Sequence, residues 1–312
     1  MTTNTPLRIG TRGSPLALAQ THETRDRLAA AWPELAAPGA IEIVVTTTTG
    51  DAVQDRPLSE IGGKGLFTKE LDDAMADGRI DLAVHSMKDV ATILPDGIVL
   101  PCMLPREDVR DAFLSPAAAH WSDLPKGAVI GTASLRRGAQ ILHRRPDLVV
   151  VNFRGNVQTR LRKLAEGEVA ATLLAMAGLR RLGLARHGTA LPVEDMLPAV
   201  GQGAIGITCR ADDVRARALL APLNDSATWT RVTAERAFLA LLDGSCRTPI
   251  AALAELDGGD LTLRGLVVSP DGSRLHAASR RGSAADAEEM GRDAAREVQA
   301  AAGPGFFDGI RT

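Results

Sequence analysis

Through its first two thirds the chain alternates short β-like runs with helix-like ones, and the β-like runs give way to a recurring set of polar residues. "IEIVV" (41–45) leads into "TTTTGD", and "IDLAVHSMKD" ends on His85, Ser86, Lys88 and Asp89. "AVIGTASLRRGAQIL" and "LVVVNFRGNVQTRLRKL" each read as strand, turn and helix start. Such alternation predicts an α/β fold with largely parallel sheets. Open sheets of this kind bind ligands beyond the carboxyl ends of their strands, so those ends are where function is sought.

At 312 residues the chain exceeds the usual domain of about 100 to 200 residues, and two or three domains are expected. In the first part, "KGLFTKELDDAMADG" places Leu66, Phe67, Glu70, Leu71, Ala74 and Met75 at helical spacing, with Gly78 as a stop. "PAVGQGAIGITCR" (198–210) reads as a strand returning to the first domain. From about Leu223 the character changes. "TRVTAERAFLALLDG" is a helix with Ala234, Ala237, Phe238, Leu241 and Leu242 on one face and Gly244 as its stop. "LTLRGLVVSPDGSRLHAASRRG" reads as two strands around a Pro270, Asp271, Gly272 turn, and "AADAEEMGRDAAREVQAAAG" as a long helix. Together they predict a small α+β domain.

Charge narrows the ligand. A net charge of -2, from 36 Lys plus Arg against 38 Asp plus Glu, leaves no global basic surface for nucleic acid or an anionic membrane. Aromatic content of 3% with no tyrosine argues against base-stacking platforms. Arginines nevertheless recur at chosen places. Arg136 and Arg137 fall in a first helical turn, where they oppose the positive end of the helix dipole unless an anion sits between them. Arg12, Arg154, Arg160 and Arg181 also follow apolar runs or open helices, and guanidinium forks bind carboxylates or phosphates bidentately. The pattern points to a polyanionic small molecule. The opening "MTTNTPLRIGTRGSPLALAQ" lacks the basic segment and apolar core of a secretory leader, and no apolar run approaches the ~20 residues of a membrane span, so a cytoplasmic protein is expected.

"LLDGSCRTPI" (241–250) sets Cys246 in a polar turn beside Arg247, a neighbour that lowers a thiol's pKa and raises its reactivity. Most lone thiols are packing residues, and Cys102 and Cys209, flanked by apolar neighbours, read that way. The "HSMKD" group is either a solvated helix cap or a carboxylate placed to act on a cation. From the residues alone two non-synthetic readings stay open. One is a two-domain clamp that binds a dicarboxylate or phosphate without chemistry. The other is a cysteine hydrolase pairing Cys246 with one of six histidines, none of them its neighbour in sequence.

The motifs "LRIGTRGSPLALAQ", "IGGKGLFTKEL", "DLAVHSMKD", "GTASLRRGAQ", "RGNVQTRL", "LPAVGQGAIGI" and "GSCRTPI", in that order and over nearly the whole chain, closely resemble the hydroxymethylbilane synthase family, also called porphobilinogen deaminase. The resemblance implies an enzyme of tetrapyrrole synthesis that joins four porphobilinogen units head to tail, releasing ammonia each time, with water finally releasing hydroxymethylbilane. It implies a dipyrromethane cofactor attached through a thioether at Cys246. By motif match, Lys88, Thr132, Ser134, Arg136, Arg137 and Arg160 hold cofactor carboxylates, Arg12, Ser14 and Arg154 meet the incoming substrate, and Arg181 serves later steps. Asp89 matches the family's catalytic aspartate, and no metal is implied. The implied architecture is three domains, the first two resembling type II periplasmic binding proteins: here 1–104 with 201–222, then 105–200, then 223–312 carrying the cysteine. A cytoplasmic monomer is the implied state. Ala91, Ala133, Ser245 and Ala251 depart from residues common in the family, but none removes a charged or covalent group.

Overall fold

The computed structural model describes residues 5–52, 66–242 and 248–307; Cys246 and the helix stop expected at Gly244 lie outside them. The chain divides into two compact units, one made of 1–53, 63–107 and 204–229, the other of 54–62, 108–203 and 230–312. Among the described residues no helix is long and apolar enough to cross a membrane.

The first unit is built on a five-stranded sheet of order β2-β1-β3-β10-β4, with β1 Leu7–Arg12, β2 Ile41–Thr46, β3 Leu82–Ser86, β4 Ile98–Met103 and β10 Ile205–Arg210. β1 pairs in parallel with β2 and β3, whereas β10 runs antiparallel to both β3 and β4. The returning strand read from "PAVGQGAIGITCR" is therefore present. The expectation of largely parallel sheets needs correction, because a strand that re-enters the sheet late in the chain is not bound to the parallel geometry of a helical crossover. Leu7, Ile9, Leu82, Val84, Cys102, Ile205, Ile207 and Cys209 form the core with Leu28 and Leu220. Burial pushes the thiol of Cys102 up to about 12 and that of Cys209 to about 11, which keeps both neutral and inert, as their apolar flanks predicted.

Helix α1 (Pro15–Ala31) opens on proline with Ser14 as its N-cap, the hydroxyl accepting from the Ala17 amide at 3.2 Å. Its buried side is unusually polar: Gln20, Thr21 and Thr24 accompany Ala17 and Leu28. Thr21 and Thr24 satisfy themselves on the carbonyls of Ala17 and Gln20, and the Gln20 amide binds Ser86 Oγ at 2.9 Å, fixing the end of β3. Helix α2 (Lys69–Ala76) buries Leu71, Ala74 and Met75 at the expected spacing, and Gly78 follows its end at a φ of 68°.

In the second unit the sheet order is β7-β6-β8-β5-β9, with β5 Asp111–Leu114, β6 Val129–Gly131, β7 Val149–Val151, β8 Ala171–Ala175 and β9 Thr189–Ala190. This sheet is also mixed: β6 lies parallel to β7 and β8, and β5 antiparallel to β8 and β9. Helices α3 (Leu135–Arg144), α4 (Val157–Ala165) and α5 (Met176–Arg181) follow β6, β7 and β8. α6 (Val214–Leu220) belongs to the first unit, and α7 (Ser226–Leu241) leads toward the last sheet. That sheet is an antiparallel meander of β11 (Ile250–Asp257), β12 (Asp260–Val268) and β13 (Leu275–Ser283), closed by α8 (Ala287–Ala302). Ala234 and Phe238 of α7 and Ala294, Ala295 and Val298 of α8 pack on Leu261, Leu263 and Val267. The hairpin tip meets the end of α3. Gly272 (φ 77°) donates no side chain there, its carbonyl oxygen lies 2.8 Å from His143 Nδ1, and a Cβ on it would fall 2.4 Å from the His143 nitrogen. A buried carboxylate that the sequence did not betray, Glu235 on α7, accepts from the amides of Gly201 and Ala254 and so ties β11 to Gly201 within the second unit.

Candidate functional site

The candidate residues divide between the units, and in each they gather at the carboxyl ends of parallel strands. In the first unit β1 and β3 are parallel neighbours, so Arg12 at the end of one and the turn Met87–Asp89 after the other share a sheet edge. The Met87 amide binds the Ala204 carbonyl and the Val90 amide closes the turn on Met87, which sets Lys88 and Asp89 on a rigid support. Arg12 Nη1 stands 3.8 Å from Asp89 Oδ2, with both side chains partly accessible. The same guanidinium lies over the Phe67 ring, 4.3 Å from its centroid, a face that attracts cations. Phe67 was read only as a helix-face residue; it precedes α2 and acts on Arg12 instead. Ser14, expected to meet substrate, is occupied as the cap of α1.

His85 lies under this edge, buried, with Nε2 2.9 Å from Thr208 Oγ1. Burial, helped by the nearby Arg12 charge, lowers its pKa to about 4, so it is a neutral imidazole at pH 7. A histidine depressed in the folded state takes up its proton more readily when unfolded. It therefore costs nothing above about pH 6.5, and its cost grows to about 3 kcal/mol as the pH falls through 4. Asp72, raised to about 6 mainly by burial, has the opposite effect over part of that range, stabilising the fold as the pH falls. Comparison with His85→Gln isolates the histidine, since Asp72 is common to both. Urea midpoints are expected to fall more steeply between pH 6.5 and 4 in the wild type than in the variant, and parallel profiles would refute the assignment.

In the second unit β6 and β7 are parallel neighbours, and the segments after them carry Thr132, Ser134 and Arg154. Ser134 caps α3 through the Arg137 amide and Thr132 Oγ1 accepts from the Ser134 amide, so both hydroxyls shape the turn. Arg136 and Arg137 occupy the first turn of α3, as expected, and are 6% and 5% exposed, so each needs a partner. Sequence reasoning missed that partner. Asp111, fully buried at the start of β5, lies 2.7 Å from Arg136 Nη1 through Oδ2 and accepts from Arg137 Nη2 at 2.7 Å through Oδ1. Although burial pushes its carboxyl up, the two guanidiniums hold it far below the usual carboxylate range.

Asp111 thus supplies one carboxylate to the two guanidiniums of α3. Arg160 on α4 donates Nε to the Gly155 carbonyl at 2.9 Å and binds no carboxylate among the described residues. Burial and the charges of Arg137 and Arg154 lower its pKa to about 10. Gly155 has a φ of 123°, and a Cβ there would fall 2.6 Å from the Thr159 methyl, so the turn that separates Arg154 from α4 requires glycine. Arg181, read as following an apolar run, ends α5, donating to the Gly203 carbonyl at 3.1 Å. A helix C-terminus suits its charge without any ligand. Arg137, Arg154 and Arg160 stand near enough for their charges to act on one another, a grouping that fits a group rich in carboxylates, which is what a dipyrromethane with acetate and propionate arms presents.

The family model described as "Porphobilinogen deaminase, dipyromethane cofactor binding domain" matches residues 7–218, and that described as "Porphobilinogen deaminase, C-terminal domain" matches 229–300. The chain is 61% identical over 310 residues to the chloroplastic porphobilinogen deaminase of Oryza sativa subsp. japonica, covering 98% of this chain and 86% of that one. It is 60% identical over 304 residues to the porphobilinogen deaminase of Paracoccus denitrificans, covering 97% and 96%. Among solved structures, a methionine-binding protein aligns at a TM-score of 0.45 and 13% identity over 70% of this chain and 90% of its own, which is too distant to bear on the site. With both family models matched in order, and with relatives aligned almost end to end, the chain belongs to the porphobilinogen deaminase family.

Proposed function

We propose that the chain is a hydroxymethylbilane synthase, condensing four porphobilinogen units head to tail with loss of one ammonia per unit and releasing the product with water. The reading is supported by a partly exposed carboxylate, Asp89, at a strand end of the first unit and, independently, by arginines gathered at strand ends of the second. Porphobilinogen bears an acetate and a propionate, so each added ring brings two negative charges to be met by guanidinium groups. When ammonia leaves, positive charge develops on the pyrrole, and a fixed carboxylate at Asp89 stabilises it more than it stabilises the neutral ring. The proton lost from the attacked ring carbon on each coupling balances the step. The dipyrromethane cofactor, when bound, supplies the ring end to which units are joined.

In this reading the cofactor is held by a thioether at Cys246, in the segment that joins α7 to β11 in sequence, and Lys88, Thr132, Ser134, Arg136, Arg137 and Arg160 take its carboxylates. Arg12, Ser14 and Arg154 take the incoming substrate, and Arg181 acts later. The division into 1–104 with 201–222, 105–200 and 223–312 belongs to the same reading, as does a cytoplasmic monomer. Pure protein supplied with porphobilinogen is expected to release four ammonia molecules per hydroxymethylbilane. Tight binding of porphobilinogen with no ammonia would leave only the clamp.

The arginines should divide by step. Arg136→Gln or Arg137→Gln is expected to leave protein poorly loaded with cofactor. Arg12→Gln or Arg154→Gln should be loaded but bind substrate roughly ten- to a hundredfold more weakly, the worth of one charge-assisted hydrogen bond. Intact mass separates the first effect and KM the second; normal loading and kinetics in all four variants would refute the division.

A further inference from the structure

We infer that Asp111 is a positioning residue for the cofactor, holding Arg136 and Arg137 in the one arrangement that receives its carboxylates; the inference rests on the function just proposed. Both of its oxygens lie against a guanidinium, Oδ1 through hydrogen bonds and Oδ2 through an ion-pair contact alone. Oδ1 accepts from Arg137 Nε and Nη2 at 3.1 and 2.7 Å and from Gln202 Nε2 at 3.0 Å, while Oδ2 faces Arg136 Nη1 at 2.7 Å. Each guanidinium is also held from a second direction. Arg136 Nη1 donates to the Leu197 carbonyl at 2.7 Å, and Arg137 Nη1 to the Leu173 carbonyl at 3.0 Å. The supports are themselves fixed: Gln140 exchanges hydrogen bonds with the backbone of Leu197, and Gln202 donates to the Val109 carbonyl as well as to Asp111. Gln140 and Gln202 are 1% exposed, so this layer lies out of reach of solvent.

Stability alone is a poor reason for such a cluster. Ion groups buried at this depth recover little more than their desolvation cost, and well-packed apolar side chains do as well or better. The arrangement does, however, restrict both guanidiniums in position while setting one carboxylate against two positive charges. A site that assembles a carboxylated group needs that combination, since loosely placed arginines would bind an anion without orienting it.

The alternative is that Asp111 merely competes with the cofactor for the arginines. The two roles predict opposite signs. Removing a competitor raises anion binding at the cluster, whereas removing a positioning group lowers correct loading even though positive charge has increased.

The test is the loaded fraction of Asp111→Asn and Asp111→Glu, purified from porphobilinogen-producing cells and counted by intact mass on the native fraction from size exclusion. Asn keeps the shape and removes the charge; loading is expected to fall roughly tenfold or more, and to recover slowly when porphobilinogen is added. Glu keeps the charge but moves the carboxylate by one methylene, and should load between Asn and wild type. If Asp111→Asn gives no native fraction, the Glu variant decides alone, with underloading expected. Wild-type or higher loading in the native fraction would overturn the inference. Absence of any added mass on the wild-type chain would instead overturn the proposed function, so the two failures are separable.

Discussion

Asp89→Asn is expected to lower kcat by about two to three orders of magnitude while leaving cofactor attachment largely intact. The substitution is nearly isosteric, so the turn Met87–Asp89 keeps its backbone bonds to Ala204 and within itself. What it removes is a full negative charge at the end of β3. The stability cost should be small. Arg12 and Asp89 are 3.8 Å apart and partly solvated, and an ion pair of that kind is worth about 1 kcal/mol or less. A large loss of turnover with a small loss of stability would therefore locate the effect in the chemistry, where a carboxylate opposite a developing cation acts only as the charge appears. Substrate binding should change less than kcat, because in the proposed reading the arginines rather than Asp89 take the carboxylates. Turnover near wild type in Asp89→Asn would remove Asp89 from the mechanism.

The second large effect concerns the cysteines. Cys246→Ser is expected to return the chain to its bare mass and abolish activity, since a serine hydroxyl is a far weaker nucleophile than a thiol and forms the link badly if at all. Cys102→Ser and Cys209→Ser are expected to keep the added mass. Both residues are fully buried between strands β4 and β10 and their neighbours, where their thiols stay protonated and unreactive. Their cost is one of stability, about 1 to 3 kcal/mol for a hydroxyl set among leucine and isoleucine side chains. Loss of the added mass in either of these, or its retention in Cys246→Ser, would move the anchor elsewhere.

What the sequence made legible was local. Period and punctuation located α2 with its Gly78 stop, the β12–β13 hairpin, α8 and the first turn of α3 with its two arginines, because each is specified within about twenty residues. The late strand β10 was also readable, as an apolar run after a glycine-rich turn. Partnerships across long separations were not. Asp111 is 26 residues from Arg137, and Gln202 is 91 from Asp111, so the buried cluster comes into being only when β5 inserts beside β8. The one sequence trace of it is an acid opening the apolar strand "DAFL", too common a pattern to single out. The antiparallel halves of both sheets were missed for the same reason, and the helix that ends at Arg181 was not separated from the apolar run before it because the six-residue helix α5 continues β8 without punctuation.

The central claim is that Cys246 carries a two-ring cofactor on which porphobilinogen is assembled, and the most direct measurement is the intact mass of acid-denatured wild-type protein from a porphobilinogen-producing cell. A thioether survives acid denaturation, so the expected result is the chain mass increased by two linked pyrrole units, borne by a peptide containing Cys246. A fully active preparation at the bare chain mass would contradict the claim.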